Sequence, residues 1–119
     1  MSRFVTGIGG IFFRSKDPKS LAKWYEDLFE INTLERPEMW KQDAGFTVFA
    51  PFKHDTGYFG RMEQQFMINF RVNNIESLME MLRSKNVKSE PEIAEEEYGK
   101  FAWVYDPEGN KVELWEPKD

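Results

Sequence analysis

The sequence has no cysteine, one histidine and no long apolar run. Without cysteine, disulfide bonds and thiolate catalysis are excluded. No segment approaches the roughly 20 consecutive apolar residues that a membrane-spanning helix needs. The N-terminus also lacks the apolar core and small-residue cleavage site of a signal peptide. We therefore expect a cytoplasmic protein that does not associate with a membrane.

Positive charge is not in excess. Lysine and arginine together number 16, aspartate and glutamate 21, and the formal net charge is −5. Proteins that bind nucleic acid need a positive face to neutralise phosphates, and no basic stripe is present. Nucleic acid is thus not an expected partner, whereas an acidic surface is compatible with a cationic small molecule.

What the sequence does contain is typical of a folded domain. Hydrophobic residues make up 40% of the chain and aromatic residues 16%, which argues against disorder. A chain of 119 residues is long enough for one sizeable core. We expect a single domain, residues 1–119.

The two halves of the chain resemble each other. Ile11–Arg14 and Ile68–Arg71 share three of their four residues, and near the ends of the halves Phe46–Pro51 aligns with Val112–Pro117. Half a chain of this kind cannot cover its own sheet. The halves are therefore expected to pack together and enclose a cleft.

The first half is predicted to open with a strand, Thr6–Arg14. Asp17 and Pro18 then signal the start of a helix, since a capping carboxylate precedes proline at the first helical position. Apolar residues follow at the i, i+3, i+4, i+7 spacing of an amphipathic helix: Leu21, Trp24, Tyr25 and Leu28. Further strands are predicted at Asn32–Glu35, Met39–Gln42 and Phe46–Ala50, before a loop at Pro51–Gly60.

The second half repeats this order. A strand at Phe66–Val72 precedes a helix that is capped by Asn74 and ends near Lys85 and Asn86. Strands are then predicted at Glu90–Ala94, Phe101–Tyr105 and Lys111–Glu116, the last two joined by a tight turn at residues 106–110. The pattern predicts an α+β fold of two modules, about 1–60 and 61–119, with helices on one side of the sheet.

Alternation along the strands divides their side chains between the helices and the cleft. If the apolar set faces the helices, the opposite set contains aromatic residues, one amide, two arginines and one carboxylate. Such a mixture is typical of a ligand pocket. The cleft-facing set is Gly10, Phe12, Arg14, Thr47, Phe49, Met67, Asn69, Arg71, Phe101, Trp103, Tyr105, Glu113 and Trp115.

Each of these residues also has a purely structural interpretation. The aromatic side chains fill space between modules or subunits in that case, although Trp103 and Trp115 are the better ligand contacts. Asn69 and Glu113 lie mid-strand among apolar neighbours, where an unpaired polar group is costly. Glu113 either takes part in the site or pairs with an arginine, Arg14 or Arg71, and so holds the modules together.

This arrangement resembles the vicinal oxygen chelate superfamily of glyoxalases, extradiol dioxygenases and bleomycin-resistance proteins. The similarity covers nearly the whole chain and is most specific at residues 106–114, where a tight turn leads into an apolar strand with Glu113 at its centre. It implies paired βαβββ modules forming an open, half-barrel cup, usually in a homodimer. One departure is Glu30, where relatives often have glycine.

The resemblance also implies where a metal would bind. In metal-dependent members four cleft-facing positions supply His, Glu or Gln ligands, and here they are Gly10, Thr47, Met67 and Glu113. A catalytic zinc site normally takes three protein ligands, and only Glu113 is a good donor to such an ion. We therefore expect no metal and no other cofactor; a divalent metal bound in another way is the alternative.

Two functions follow. The first is a glyoxalase- or bleomycin-resistance-like protein that binds a small organic molecule, cationic or planar, in a metal-free aromatic cleft. Its predicted ligand contacts are Phe12, Thr47, Phe49, Met67, Asn69, Arg71, Trp103 and Trp115. The alternative is an enzyme of the superfamily, a lyase, isomerase or dioxygenase-like protein, that uses Glu113 as general base or as ligand of a divalent ion. Fold membership alone does not decide between them.

Overall fold

The computed structural model describes residues 4–33 and 37–118, and within them the fold is α+β. The described helices and strands are α1 (Pro18–Phe29), β1 (Ile68–Arg71), α2 (Ile75–Ser84), β2 (Ala94–Glu96), β3 (Gly99–Tyr105) and β4 (Lys111–Pro117). The four strands form one open, mixed sheet. Neither helix has the length and apolar character required to cross a membrane.

The sheet has the strand order β1-β4-β3-β2. β1 runs parallel to β4, whereas β3 is antiparallel to both β4 and β2. In this register Asn69 of β1 and Trp103 of β3 both lie directly opposite Glu113 of β4. Directly opposed residues point to the same face of a sheet, so these three side chains form one row across it.

Both helices begin at the residues that the sequence indicates. The Asp17 side chain accepts a hydrogen bond from the Ser20 backbone N–H, and Asn74 caps α2 in the same way. At the end of α1, Glu30 adopts the left-handed conformation with φ of 56°. Glycine adopts this conformation without strain, which is consistent with the glycine that the resemblance leads us to expect at this position.

The hydrophobic core lies between the helices and one face of the sheet. Its buried members come from α1, α2, β3 and β4. They are Leu21, Tyr25, Ile75, Met79, Leu82, Ala102, Val104, Val112 and Leu114. The side chains of β3 and β4 that were predicted to face the helices therefore do so. The row containing Glu113 therefore lies on the opposite face.

The turn between β3 and β4 is organised around a buried carboxylate. Asp106 is only 4% exposed. It accepts hydrogen bonds from the backbone N–H groups of Glu108 and Asn110, from the Asn110 amide at 2.8 Å, and from the Tyr25 hydroxyl at 2.7 Å. The turn is thus joined to α1 as well as to itself.

A second carboxylate of the same turn holds the chain just before α1. Glu108 accepts hydrogen bonds from the Ser15 hydroxyl and from the backbone N–H groups of Lys16 and Asp17, at 2.7 to 3.1 Å. These bonds lower the pKa of Glu108, the Ser15 hydroxyl contributing most. The turn at which the sequence resemblance is most specific therefore also positions α1 on the sheet.

In the second half, two strand predictions need correction. The strand predicted at Glu90–Ala94 lies instead at Ala94–Glu96, because Pro91 has no backbone N–H to donate. Residues just before the proline do bond to β3, with Glu90 N–H donating to the Trp103 carbonyl and Ser89 bridging Val104. β1 is also shorter than the predicted strand.

In the first half, the strands predicted at Thr6–Arg14, Met39–Gln42 and Phe46–Ala50 are absent from the structure; the one at Asn32–Glu35 lies partly outside the described residues. A strand exists only where a neighbour completes its hydrogen bonds, and these segments have none. Within the described residues the strands therefore form one βαβββ unit, from β1 to β4, and the second predicted unit is not confirmed.

Beside β1, the chain makes a different kind of contact. The Arg71 guanidinium donates to the carbonyl oxygens of Asp43 and Ala44, at 3.1 and 3.3 Å. It lies directly over Gly45, where a side chain would collide with it. Glycine at position 45 therefore allows this segment to pack against β1 without a ladder of backbone hydrogen bonds.

Replacing Tyr25 with phenylalanine tests the link between the turn and α1. Burial and the bond to Asp106 both raise the Tyr25 pKa, so the hydroxyl is protonated and donates at neutral pH. Its loss should lower the free energy of unfolding by about 2 kcal/mol in urea denaturation. Tyr98→Phe, at an exposed tyrosine, is the matched control. Equal stability of the two variants would show that the Tyr25 bond contributes nothing.

Candidate functional site

The centre of the candidate site is the Glu113 carboxylate, which is 8% exposed. It accepts three hydrogen bonds. The Asn69 amide donates to Oε1 at 2.6 Å, and the Tyr58 hydroxyl and the Trp103 indole donate to Oε2 at 2.5 and 2.9 Å. Hydrogen bonds to an ionised acceptor are stronger than neutral ones. The polar row predicted from alternation is therefore a connected network.

Tyr58 was not among the predicted site residues. It lies in the loop predicted at Pro51–Gly60, and its side chain reaches over the sheet to Glu113. Packing against the Phe52 ring, with centroids 5.7 Å apart, helps to hold it there. Burial and the bond to Glu113 raise the pKa of Tyr58 to about 12, so at neutral pH the hydroxyl keeps its proton and donates a hydrogen bond to Glu113.

Lys111 is a second residue that the prediction omitted. Its ammonium lies 5.2 Å from the centre of the Tyr58 ring and 5.8 Å from that of Trp103, and it donates to the Tyr58 carbonyl at 2.9 Å. Both ring distances are within the range of a cation–π interaction. The alternation of side chains along β4 could have placed Lys111 on the Glu113 face, because it precedes Glu113 by two positions on the same strand.

The backbone of Lys111 is held in place by the side chain of Gln64, which precedes β1. The Gln64 amide oxygen accepts from the Lys111 backbone N–H at 2.8 Å, and its nitrogen donates to the Lys111 carbonyl at 2.9 Å. The start of β4 is thus paired by β3 on one edge and by a side chain on the other edge, where β1 pairs only from Val112 onward. This pairing keeps Lys111, and with it the Tyr58 loop, against the sheet.

Beside these residues is an open cavity of about 440 Å³. It is lined by Tyr58, Trp103 and Lys111 together with the segment 90–94. Its volume is within the range of small-molecule sites in proteins. Trp103 joins the two features, since its ring lines the cavity and its N–H bonds Glu113.

The remaining predicted contacts are distributed elsewhere. Trp115 stacks on Phe101 with the ring planes 6° apart, on the Glu113 face but outside the cavity lining. Arg71 is bonded to the carbonyls of Asp43 and Ala44. Three predicted contacts lie exposed in segments without strands, namely Phe12 (85% exposed), Phe49 (86% exposed) and Thr47, and Met67 is partly buried.

An ion pair between Glu113 and Arg14 or Arg71 is not present. In the described part of the chain the Glu113 carboxylate is bonded to an amide, a hydroxyl and an indole, and Arg71 donates to backbone carbonyls. The interpretation of Glu113 as a charge-paired link between modules is therefore wrong. Neutral donors satisfy this carboxylate.

The residues at the four expected ligand positions do not fit a divalent metal. Gly10 has no donor side chain, Thr47 is exposed outside the sheet, and Met67 offers only a thioether. Glu113 already accepts three protein hydrogen bonds. Within residues 4–33 and 37–118, no group of three histidine, aspartate or glutamate side chains is arranged to hold a metal.

Comparisons with known proteins give weak similarities. A glyoxalase family protein from Enterococcus faecalis is 27% identical, with a TM-score of 0.38, over 42% of this chain and 40% of that one. An NAD-dependent benzaldehyde dehydrogenase from Legionella pneumophila is 13% identical, with a TM-score of 0.40, over 87% and 94%. No protein-family model and no curated protein matches. The first similarity is partial, and neither assigns a fold or a function.

The Tyr58–Glu113 bond predicts a pH dependence of stability. The Tyr58 pKa is raised to about 12, whereas tyrosine in an unfolded chain titrates near about 10. Stabilisation by this hydroxyl is therefore complete below pH about 10 and lost as the pH rises through about 12. The stability difference between native protein and Tyr58→Phe should shrink over that interval in urea denaturation.

Tyr98→Phe, which removes an exposed hydroxyl, is the control, and its difference from the native protein should stay near zero at each pH. Tyrosines common to native protein and variant cancel in each difference. A Tyr58→Phe difference that remained constant, or that grew with pH, would refute the assigned bond.

Proposed function

We propose that this chain is a glyoxalase- or bleomycin-resistance-like protein of the vicinal oxygen chelate type that binds a small planar organic molecule without a metal. The observation that carries the proposal is the Glu113 carboxylate, which three protein donors satisfy next to a ligand-sized cavity. In the metal-dependent proteins that the chain resembles, the corresponding position supplies a ligand to the ion. Here the same position is a carboxylate that protein donors hold beside the cavity.

The walls of the cavity support binding of a flat molecule. The Trp103 and Tyr58 rings lie at an interplanar angle of 82°, with centroids 6.3 Å apart, and form a corner rather than a flat stack. Ile93, Ala94 and Pro91 add aliphatic surface to the lining. Aromatic and aliphatic walls with a few fixed polar groups are typical of small-molecule sites.

The enzyme alternative assigns Glu113 as general base or as ligand of a divalent ion. A base must reach a substrate proton with a free lone pair, and an ion needs further donors. The three hydrogen bonds to Glu113 occupy most of its acceptor positions, since a carboxylate has about four. The binding function therefore fits the observed geometry better, because either enzyme role would require rearrangement of the hydrogen bonds to Glu113.

The proposal includes pairing of two βαβββ modules in a homodimer. Support comes from the first half, where the segments predicted as strands expose large apolar side chains, among them Phe12, Phe46 and Phe49. Exposed apolar groups on this scale are unusual on a monomer surface and mark interaction sites. A second copy that supplies strand partners would cover them.

Binding is tested with 2-naphthamide, a neutral planar probe, by isothermal titration calorimetry in the presence of EDTA. The native protein should bind it, and Trp103→Leu should weaken the affinity about tenfold through loss of one aromatic wall. Trp40→Leu, at a partly exposed tryptophan that contacts Phe70, is the matched control and should change little.

Thermal melting of both variants shows whether they remain folded. Equal affinity of the native protein and Trp103→Leu would contradict the cavity assignment. Binding that disappears in EDTA and returns with a divalent ion would instead support a metal site.

Assembly is tested by sedimentation velocity. The native protein should sediment as a dimer, and Phe49→Asp should shift it to monomer, because an aspartate buried in an apolar contact costs several kcal/mol. Tyr98→Asp, an exposed position beside the acidic run Glu95–Glu97, should remain dimeric. A native protein that is monomeric at micromolar concentration would refute the pairing.

A further inference from the structure

Lys111 is a cation at the cavity without an acidic partner. In the described residues its ammonium donates to the Tyr58 carbonyl, and neither of the ion pairs found there involves it. An ammonium has three donor hydrogens, so two remain available after the bond to Tyr58. Because Lys111 lines the cavity, these donors are within reach of a molecule bound there.

The same geometry disfavours a cationic ligand. The ammonium of Lys111 already lies over both aromatic rings of the cavity, Tyr58 and Trp103. A ligand cation would have to displace it or accept repulsion from a like charge at close range. Glu113 offers a ligand cation little direct contact, because three protein donors already occupy most of its acceptor positions.

Two carboxylates in the lining limit how much negative charge the ligand carries. Glu90 and Glu92 both line the cavity, and the Glu90 carboxylate accepts a hydrogen bond from the Tyr105 hydroxyl at 2.7 Å. One anionic group is compensated by the Lys111 ammonium, whereas a second one would be repelled by these carboxylates.

We infer that the ligand is a planar aromatic monoanion, with its ring against Trp103 and its carboxylate on the Lys111 ammonium. This inference rests on the proposed binding function and adds the sign and position of the ligand charge. A carboxylate on Lys111 forms a charge-assisted hydrogen bond, which is stronger than a bond between neutral groups.

The experiment compares three naphthalene probes of similar shape by isothermal titration calorimetry: 2-naphthoate, 2-naphthamide and (2-naphthylmethyl)trimethylammonium. In the native protein 2-naphthoate should bind about tenfold tighter than 2-naphthamide, and the ammonium probe weakest. In Lys111→Met the ratio between naphthoate and naphthamide should fall to about one, and Lys111→Arg should preserve it.

The ratio within one protein separates charge from packing, since displacement of the Tyr58 loop would weaken both probes together. Lys88→Met is the matched control. Lys88 also lies over a tyrosine, 4.8 Å from the centre of the Tyr105 ring, but does not line the cavity. Its loss changes the net charge equally. A ratio preserved in Lys88→Met would therefore show that the overall electrostatic field of the protein does not cause the preference for naphthoate.

Preference for the ammonium probe, or a ratio unaffected by Lys111→Met, would overturn the inference and leave the proposed binding function intact. Absence of binding by all three probes would refute both.

Discussion

The structure of the site depends on one constraint: the Glu113 carboxylate is buried and has to be satisfied by hydrogen bonds. An unpaired buried charge costs far more than the fold of a small domain can absorb. Three donors meet this requirement, from β1, from β3 and from the loop that carries Tyr58. The carboxylate thereby connects three parts of the chain that are distant in sequence, and it fixes the face of the sheet on which the cavity lies.

Satisfaction of Glu113 by protein donors also explains which residue types surround it. Donors and aromatic rings surround the carboxylate where other ligands would be needed for an ion, and the Lys111 ammonium lies on those rings. The turn at Asp106 and Glu108 serves the other face, where it holds α1 over the core. One short stretch, from the turn through β4, thus organises both the core and the site.

The sequence was sufficient to predict the polar row on the sheet, but not the position of Tyr58 or the strand pairing of the first half. Alternation placed Asn69, Trp103 and Glu113 on one face, because period-two patterns follow directly from strand geometry. Tyr58 could not be predicted in the same way, since no local pattern states where a loop side chain reaches. The strands of the first half were predicted from composition, but pairing depends on partners elsewhere, and these segments have none in the described chain.

The central claim is that protein donors, not a metal ion, satisfy Glu113, and the Trp103 indole N–H reports on it most directly. Its NMR resonance is assigned by its loss in Trp103→Phe, and Mn²⁺ is then added to the native protein. A bound Mn²⁺ ion broadens nearby resonances. We predict that the Trp103 indole resonance keeps its position and width when Mn²⁺ is equimolar with the protein. Selective broadening of this one resonance would place an ion at Glu113 and contradict the account.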